Sequence, residues 1–134
     1  MYKLDCLFKF GSMMEKILIV DDEVDICYFL SINLQKNNYI TSFANSISEA
    51  KKAIILETPS ILLLDNHLPD GFGVDFALEV KRINPGIKIV MITAHDTPTD
   101  RKIAQNNGID FFLAKPFLIN DVYKAIKFVT EKAA

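Results

Sequence analysis

Five polar residues with useful chemistry stand at the ends of short apolar runs. Asp21 and Asp22 follow KILIV, and Asp65 ends SILLLD; Thr93 ends IKIVMIT, and Lys115 follows IDFFLA. Carboxylates supply hard oxygen ligands and nucleophilic atoms, whereas an ammonium and a hydroxyl interact with phosphate oxygens. Brought together, such a set is suited to a divalent cation and a transferring phosphoryl group.

The elements that would position these residues alternate along the chain. From Glu15 onward, apolar runs are separated by longer amphipathic segments about five times, and the runs are KILIV, YITSFA, SILLLD, IKIVMIT and IDFFLA. This alternation predicts an α/β fold with a parallel sheet covered by helices on both faces. Ligands of open parallel sheets bind beyond the carboxyl ends of the strands, so we expect the five polar residues to meet in one shallow pocket.

The acidic trio Asp21, Asp22 and Asp65 favours magnesium over calcium. Calcium takes six to eight oxygen ligands, whereas magnesium accepts one or two carboxylates and keeps waters or phosphate oxygens. Asp65 is then the predicted nucleophile, since aspartyl carboxylates form covalent phosphoryl intermediates. The alternative is structural: Asp22 caps the helix that follows it, and the other acids lie in turns.

Composition excludes several classes of function. The 134 residues predict one domain, and a net charge of -2 makes direct nucleic acid binding unfavourable. No apolar run reaches the roughly 18 to 20 residues that span a bilayer, so no membrane segment is expected. Cys6 and Cys27 have neither zinc-site spacing nor the number for a disulfide framework, which indicates a reducing, cytoplasmic location.

The first 13 residues, MYKLDCLFKFGSM, show no clear period and end in a Gly-Ser-Met junction. We predict that residues 1–13 are a leader left by cloning or a disordered segment, and that the domain covers residues 14–134. An extra strand, or a docking peptide built on Leu7, Phe8 and Phe10, is the alternative.

Local signals place several element ends and packing residues. Ser46 with Glu49 resembles a capping box, Pro59 and Pro85 are expected to end the helices before them, and Gly108 is suited to the end of a helix. The Asp70–Gly73 loop is interpreted as a turn that launches the next helix. Aromatic residues at strand and helix spacing are expected to fill the core, and lysines and arginine on helices to face solvent. The aromatic residues are Phe111, Phe117 and Phe128, and the basic ones are Lys51, Lys52, Lys81 and Arg82.

Four motifs in order carry a family resemblance: IVDDE, LLLDNHLPDGFG, MITAH and FFLAKPF. With them the chain, from about Glu15 to Ala134, resembles the receiver domain of two-component response regulators. The resemblance implies a single flavodoxin-like, three-layer domain whose five-stranded parallel sheet has the order 2-1-3-4-5.

The resemblance also implies roles for individual residues. Asp65 would accept a phosphoryl group from a sensor histidine kinase or a histidine phosphotransfer protein. Lys115 would pair with that group, Thr93 would hydrogen-bond it, and the Lys115–Pro116 bond would be cis. The implied Mg²⁺ ligands are Asp21, Asp22, Asp65 and the backbone carbonyl of His67.

A switch and an output surface follow from the same resemblance. Thr93 would turn toward the phosphoryl group, and Phe112 would fill the space it leaves, which changes the face of the fourth helix, fifth strand and fifth helix. Phe112 stands where a tyrosine is often found, so no hydroxyl signal is expected. An output domain, an effector protein or a homodimer formed on phosphorylation would use this face.

His67 and His95 lie two positions after Asp65 and Thr93. Solvent-facing rim residues are one interpretation, and zinc binding is disfavoured because the ligand spacing is absent. A further hypothesis is that both histidines set the lifetime of the phosphoryl-aspartate by controlling the access of water.

The resemblance implies a signalling phospho-acceptor that is not an enzyme. Two other functions are alternatives to it. A phosphatase or phosphotransferase of the haloacid-dehalogenase type also uses an aspartyl nucleophile and magnesium. Its two aspartates lie two positions apart on the first strand, whereas Asp21 and Asp22 are adjacent and no cap domain is present. A pseudo-receiver that binds partners without phosphorylation is the second alternative, which the complete set of Asp65, Thr93 and Lys115 disfavours.

Overall fold

The computed structural model describes residues 14–132, so the predictions on residues 1–13 lie outside the described part. Five parallel strands form the main sheet in the order β2-β1-β3-β4-β5, which confirms the predicted order. The strands are β1 (Lys16–Val20), β2 (Ile40–Ala44), β3 (Ile61–Leu64), β4 (Lys88–Thr93) and β5 (Phe111–Ala114). Each strand lies within one of the five apolar runs, and no run extends more than two residues beyond its strand.

Five helices connect the strands or follow the last of them. They are α1 (Val24–Lys36), α2 (Ile47–Glu57), α3 (Gly73–Ile83), α4 (Pro98–Asn106) and α5 (Ile119–Lys132). Helices α2 and α3 end two residues before Pro59 and Pro85, because proline disfavours a helical residue before it. After α4, Gly108 has a φ of 89°, a left-handed conformation that glycine adopts without steric cost.

The sheet divides the core into two layers. Alternate residues of β1 point to opposite faces: Leu18 and Val20 pack with buried residues of α2, α3 and α4, whereas Ile17 and Ile19 pack with those of α1 and α5. The side chains of Ile17 to Val20 are at most 1% exposed. A strand covered on both faces must be apolar at every position, and this explains the uninterrupted run.

The loop after β3 stabilises a helix that lies elsewhere in the sequence. It contains a two-stranded hairpin, His67–Leu68 with Gly71–Phe72, before α3 begins at Gly73. The Asp70 carboxylate accepts hydrogen bonds of 2.8 and 3.0 Å from the backbone N–H groups of Ile47 and Ser48, in the first turn of α2. These bonds hold the pKa of Asp70 below its usual value. The turn therefore launches α3 and also caps α2, which the sequence did not indicate.

Three local predictions need correction. Phe128 is 45% exposed and packs beside Phe111 with ring centroids 5.3 Å apart, so it is not a core residue. Lys81 is not a solvated helix residue, because its ammonium lies 2.7 Å from the Asp110 carboxylate and from the carbonyl oxygen of Ile87. Glu49 completes only half of a capping box: its backbone N–H bonds Ser46, but its carboxylate bonds Asn45.

Between residues 14 and 132, the structure contains no helix that is both long and apolar enough to cross a membrane.

Candidate functional site

The sheet brings the carboxyl ends of four strands to one edge. Val20 pairs with Leu64, so Asp21 and Asp65 leave neighbouring strands side by side. Thr93 pairs with Ala114, and the N–H of Lys115 donates to the Thr93 carbonyl at 2.8 Å. All five polar residues singled out in the sequence therefore lie at this edge.

The three aspartates form one acidic cluster. A carboxylate oxygen of each of Asp21, Asp22 and Asp65 lies within 4.8 Å of the other two. Asp21 and Asp65 are 4% and 6% exposed, whereas Asp22 faces solvent. Burial raises the pKa of both buried carboxyl groups, and their mutual repulsion raises that of Asp21 further. The cluster thus has hard oxygen donors and an electrostatic cost that a cation would offset.

Lys115 supplies positive charge to this cluster. Its ammonium lies 2.9 Å from Asp21, 3.0 Å from Glu23 and 3.5 Å from Asp65, and its side chain is only 13% exposed. Burial alone would lower the pKa of Lys115, but its bonds to Asp21 and Glu23 raise the pKa above its usual value. Lys115 is therefore an ammonium ion at neutral pH, and one positive charge faces three carboxylates.

The structure argues against Asp22 as a helix cap. The N-cap residue of α1 is Glu23, and no side chain caps that helix. Asp21, not Asp22, accepts a bond of 2.9 Å from the Glu23 N–H. Asp22 thus lies at the open side of the cluster without this structural role, which leaves its carboxylate available for an ion.

Lys115 directly follows β5, and its backbone is hydrogen-bonded to the end of β4. The Lys115–Pro116 bond is cis, and the backbone N–H of Lys115 is held by β4. His67 lies in the short hairpin that follows Asp65.

Thr93 and Phe112 line the same cavity. Thr93 is 1% exposed, and its hydroxyl accepts a bond of 3.3 Å from the His95 N–H. Thr93, Phe112, His67 and His95 all line a cavity of about 240 Å³. The imidazole rings of His67 and His95 are in contact, with centroids 3.9 Å apart and ring planes tilted by 34°. Space is therefore present beside Thr93 and the Phe112 ring.

Residues that the sequence interpretation missed support the site. Glu23 forms an ion pair with Lys115. Its position directly after Asp22 in the sequence was a signal that it could belong to the site. Asn45 donates to the Asp21 carbonyl at 2.8 Å, and the thiol of Cys27 donates to the same oxygen at 3.3 Å. Burial raises the pKa of Cys27 to about 12, so this thiol is a structural group. These contacts depend on long-range packing, which no local pattern predicts.

Gly73 fixes the loop that follows Asp65. Its N–H bonds the Asn66 carbonyl at 2.7 Å, while the Asn66 side chain accepts from the next N–H of α3, that of Val74. A Cβ atom on Gly73 would overlap the backbone oxygen of Asp65. The start of α3 is therefore packed directly onto the backbone of the central aspartate.

We expect Gly73→Ala to destabilise the protein by about 1 to 3 kcal/mol, because backbone atoms must shift to admit the methyl group. Helix propensity alone predicts the opposite sign, since alanine favours helices over glycine. Urea denaturation followed by circular dichroism measures this. Gly86→Ala is the matched control, because nothing lies within 4 Å of its Cβ position. Equal stability of the two variants would contradict the close packing at Gly73.

Comparisons with known proteins agree with this geometry. The family model for the response regulator receiver domain matches residues 17–127. The alkaline phosphatase synthesis transcriptional regulatory protein PhoP of Bacillus subtilis is 31% identical over 121 residues, which is 90% of this chain and 50% of that protein. The chain thus spans about half the length of this curated relative.

Solved structures with the same fold include two that cover nearly the whole described chain. A CheY-like receiver domain protein from Methanospirillum hungatei JF-1 has a TM-score of 0.85 at 27% identity, over 89% of this chain and 95% of its own. A two-component response regulator from Clostridium difficile has a TM-score of 0.85 at 25% identity, over 90% and 98%.

Proposed function

Because the chain belongs to the response regulator receiver family, a family of signalling domains in two-component systems, we propose that it accepts a phosphoryl group on Asp65. The observation that carries the proposal is the surroundings of this carboxylate. Asp65 lies at the end of a central strand, 3.5 Å from the ammonium of Lys115 and within a cluster of three aspartates. Nucleophile, cation and acidic ligands are therefore in one place.

The proposed reaction is a single displacement at phosphorus. A carboxylate oxygen of Asp65 forms a bond to phosphorus, the bond between phosphorus and the donor breaks, and the donor leaves with its electron pair. The ammonium of Lys115 stabilises negative charge on the phosphoryl oxygens, and the Thr93 hydroxyl donates a hydrogen bond to one of them. The domain assists its own phosphorylation and dephosphorylation and turns over no other substrate.

The acidic cluster fits Mg²⁺ as the cofactor. Its donors are carboxylate oxygens, and the exposed Asp22 leaves one side open to water and phosphate oxygens. The proposed ligands are Asp21, Asp22, Asp65 and the backbone carbonyl of His67. A bound Mg²⁺ would supply positive charge to the transferring phosphoryl group and reduce the repulsion among the aspartates.

The proposed donor is a sensor histidine kinase or a histidine phosphotransfer protein. Such a partner must reach Asp65 across the rim of the site, where α1 begins and where the loop after β5 ends. Both elements expose apolar side chains: Val24 is 57%, Tyr28 63% and Leu118 72% exposed. This apolar rim is a suitable docking surface for the donor, in the reducing compartment that the cysteine usage indicates.

The proposed output is a change on the face of α4, β5 and α5. Thr93 turns toward the phosphoryl group, and Phe112 moves into the adjacent cavity of about 240 Å³. An output domain, an effector protein or a second phosphorylated copy reads the altered face.

We expect His67→Ala to accelerate loss of the phosphoryl group roughly 3- to 10-fold, or about 0.7 to 1.4 kcal/mol of activation free energy. The rings of His67 and His95 lie in contact beside the cavity that Thr93 lines, and we expect the loss of one ring to admit water to the acyl phosphate. Decay of the phosphorylated protein is followed by intact mass, and urea denaturation should show little change in stability.

A double-mutant cycle that combines His67→Ala with His95→Ala tests whether the two rings limit the loss of the phosphoryl group together. Because each ring is needed to exclude water, the double variant should decay little faster than either single variant. Unchanged decay in all three variants would contradict the role in phosphoryl lifetime.

The decisive experiment for the function is intact mass after incubation with acetyl phosphate, with and without Mg²⁺. A gain of one phosphoryl group that requires Mg²⁺ and is lost on hydroxylamine treatment supports the acyl phosphate. If acetyl phosphate gives no gain, cognate histidine kinases are tested as donors. Failure with both donors would replace the proposal with the pseudo-receiver alternative, and catalytic release of phosphate from added monoesters would favour a phosphatase.

A further inference from the structure

Arg101 of α4 contacts both the loop after β4 and Phe112 of β5. Its guanidinium donates two hydrogen bonds to the Asp96 carboxylate, of 2.5 and 3.2 Å. The carbon at the centre of the same guanidinium lies 4.8 Å from the centroid of the Phe112 ring. Asp96 follows Thr93 by three residues, so one side chain contacts both the loop that begins at Thr93 and the strand that carries the ring.

Phe112 lines two cavities. One is a groove of about 600 Å³ that is also lined by Arg101, Phe111 and Phe128, and we call the side of the ring toward Arg101 its outer side. On the inner side is the cavity of about 240 Å³ that Thr93, Met91 and His95 help to line. Phe112 is half-buried and contributes to both cavities. The ring therefore has room to move inward, toward Thr93.

The contact with Arg101 favours the outer position of the ring. A cation over an aromatic face is attractive, and an inward movement of Phe112 would separate the ring from the guanidinium. Two hydrogen bonds to Asp96 restrict the guanidinium, so it cannot simply follow the ring. A rearrangement of the loop after Thr93 would displace Asp96 and loosen the same contact.

We propose that Arg101 is a positioning residue that holds Phe112 in its outer position while Asp65 is unphosphorylated, and that it releases the ring when the loop after Thr93 moves. This inference rests on the proposed phosphorylation of Asp65. It assigns the coupling between the site and the face of α4, β5 and α5 to a guanidinium that contacts both.

Thermodynamic linkage determines whether loss of the Arg101 contact strengthens or weakens ligand binding at the site. A contact that stabilises only the unphosphorylated arrangement weakens the binding of any ligand that needs the other arrangement, and its removal strengthens that binding by the same factor. For an exposed cation–π contact, this factor is about 2- to 5-fold. The simple loss of a surface ion pair has no such directed effect on the site.

The test compares Arg101→Met and Arg101→Lys with the unaltered protein. Lys102→Met is the matched control. Lys102 is exposed and follows Arg101 on α4, and the substitution removes the same positive charge. Two readouts are used: the beryllofluoride concentration that half-saturates the site in the presence of Mg²⁺, and the NMR chemical shifts of the labelled Phe112 ring without beryllofluoride.

Arg101→Met should lower the half-saturating concentration about 2- to 5-fold and move the ring shifts toward those of the beryllofluoride-saturated protein. Arg101→Lys retains the charge and should give a smaller effect, whereas Lys102→Met should change neither readout. Unchanged values for Arg101→Met, or the same change with Lys102→Met, would overturn the proposal.

The two hypotheses fail in different ways. If the unaltered protein does not bind beryllofluoride, the proposed phospho-acceptor function loses its support. Nuclear Overhauser contacts between the Phe112 ring and Thr93, measured without any ligand, then decide the positioning role alone: contacts that strengthen in Arg101→Met but not in Lys102→Met support it, and unchanged contacts overturn it.

Discussion

Asp65→Asn should gain no phosphoryl group under conditions that phosphorylate the unaltered protein. The amide has nearly the same shape as the carboxylate, but it is not a nucleophile at neutral pH and removes one negative charge from the acidic cluster. Intact mass after incubation with acetyl phosphate and Mg²⁺ measures the loss, which we expect to be complete. The affinity for Mg²⁺, measured by titration, should fall as well.

The stability of this variant separates chemistry from folding. Burial raises the pKa of Asp65, so at neutral pH the ionised carboxylate is less favourable in the folded than in the unfolded chain. A neutral amide should therefore leave the free energy of unfolding equal or higher. Asp75→Asn, at an exposed position in the first turn of α3, is the matched control and should be phosphorylated normally. Phosphorylation of Asp65→Asn at the usual rate would show that another residue is the acceptor.

Lys115→Met should slow phosphorylation on the order of 10²-fold while strengthening Mg²⁺ binding several-fold. The rate falls because the transferring phosphoryl group loses its buried ammonium. The affinity for Mg²⁺ rises because the cluster of Asp21, Asp22 and Asp65 keeps its charge but loses a cation that lies 2.9 Å from Asp21. Two observables that move in opposite directions are difficult to obtain from a general loss of structure.

The rate is measured by intact mass over time and the affinity by calorimetric titration with Mg²⁺. Lys52→Met removes the same charge at an exposed position of α2 and should change neither quantity. If Lys115→Met weakened Mg²⁺ binding, or left the rate unaltered, the assignment of Lys115 to the phosphoryl group would be wrong.

The elements of the fold were predictable because their signals are local. Strands buried on both faces must be apolar at each position, and this property placed β1 and β3 within one or two residues. The prolines Pro59 and Pro85 marked the ends of α2 and α3, and Gly108 marked the end of α4. The parallel arrangement follows from the alternation of strands and helices, and with it the expectation that Asp21, Asp65 and Lys115 meet at one edge.

Apart from those at helix caps, the errors concern contacts between residues far apart in the chain. Lys81 was taken for a solvated residue because nothing in α3 shows that Asp110 lies beside it. Phe128 was placed in the core because an aromatic residue has the same helical spacing whether its helix face is covered or open. Asp70 was interpreted only as a turn residue, since its partners at the start of α2 precede it by more than 20 positions.

By itself, the sequence determined the order of the elements and the identity of the chemical groups at the strand ends, because both depend on residue type and short-range periodicity. Only the tertiary structure decided how these groups interact: that Lys115 contacts Asp21, Glu23 and Asp65, that the ring of His67 contacts that of His95, and that Arg101 contacts both Asp96 and Phe112. Such distances depend on strand register, loop path and helix packing, which many residues set together and no single motif encodes.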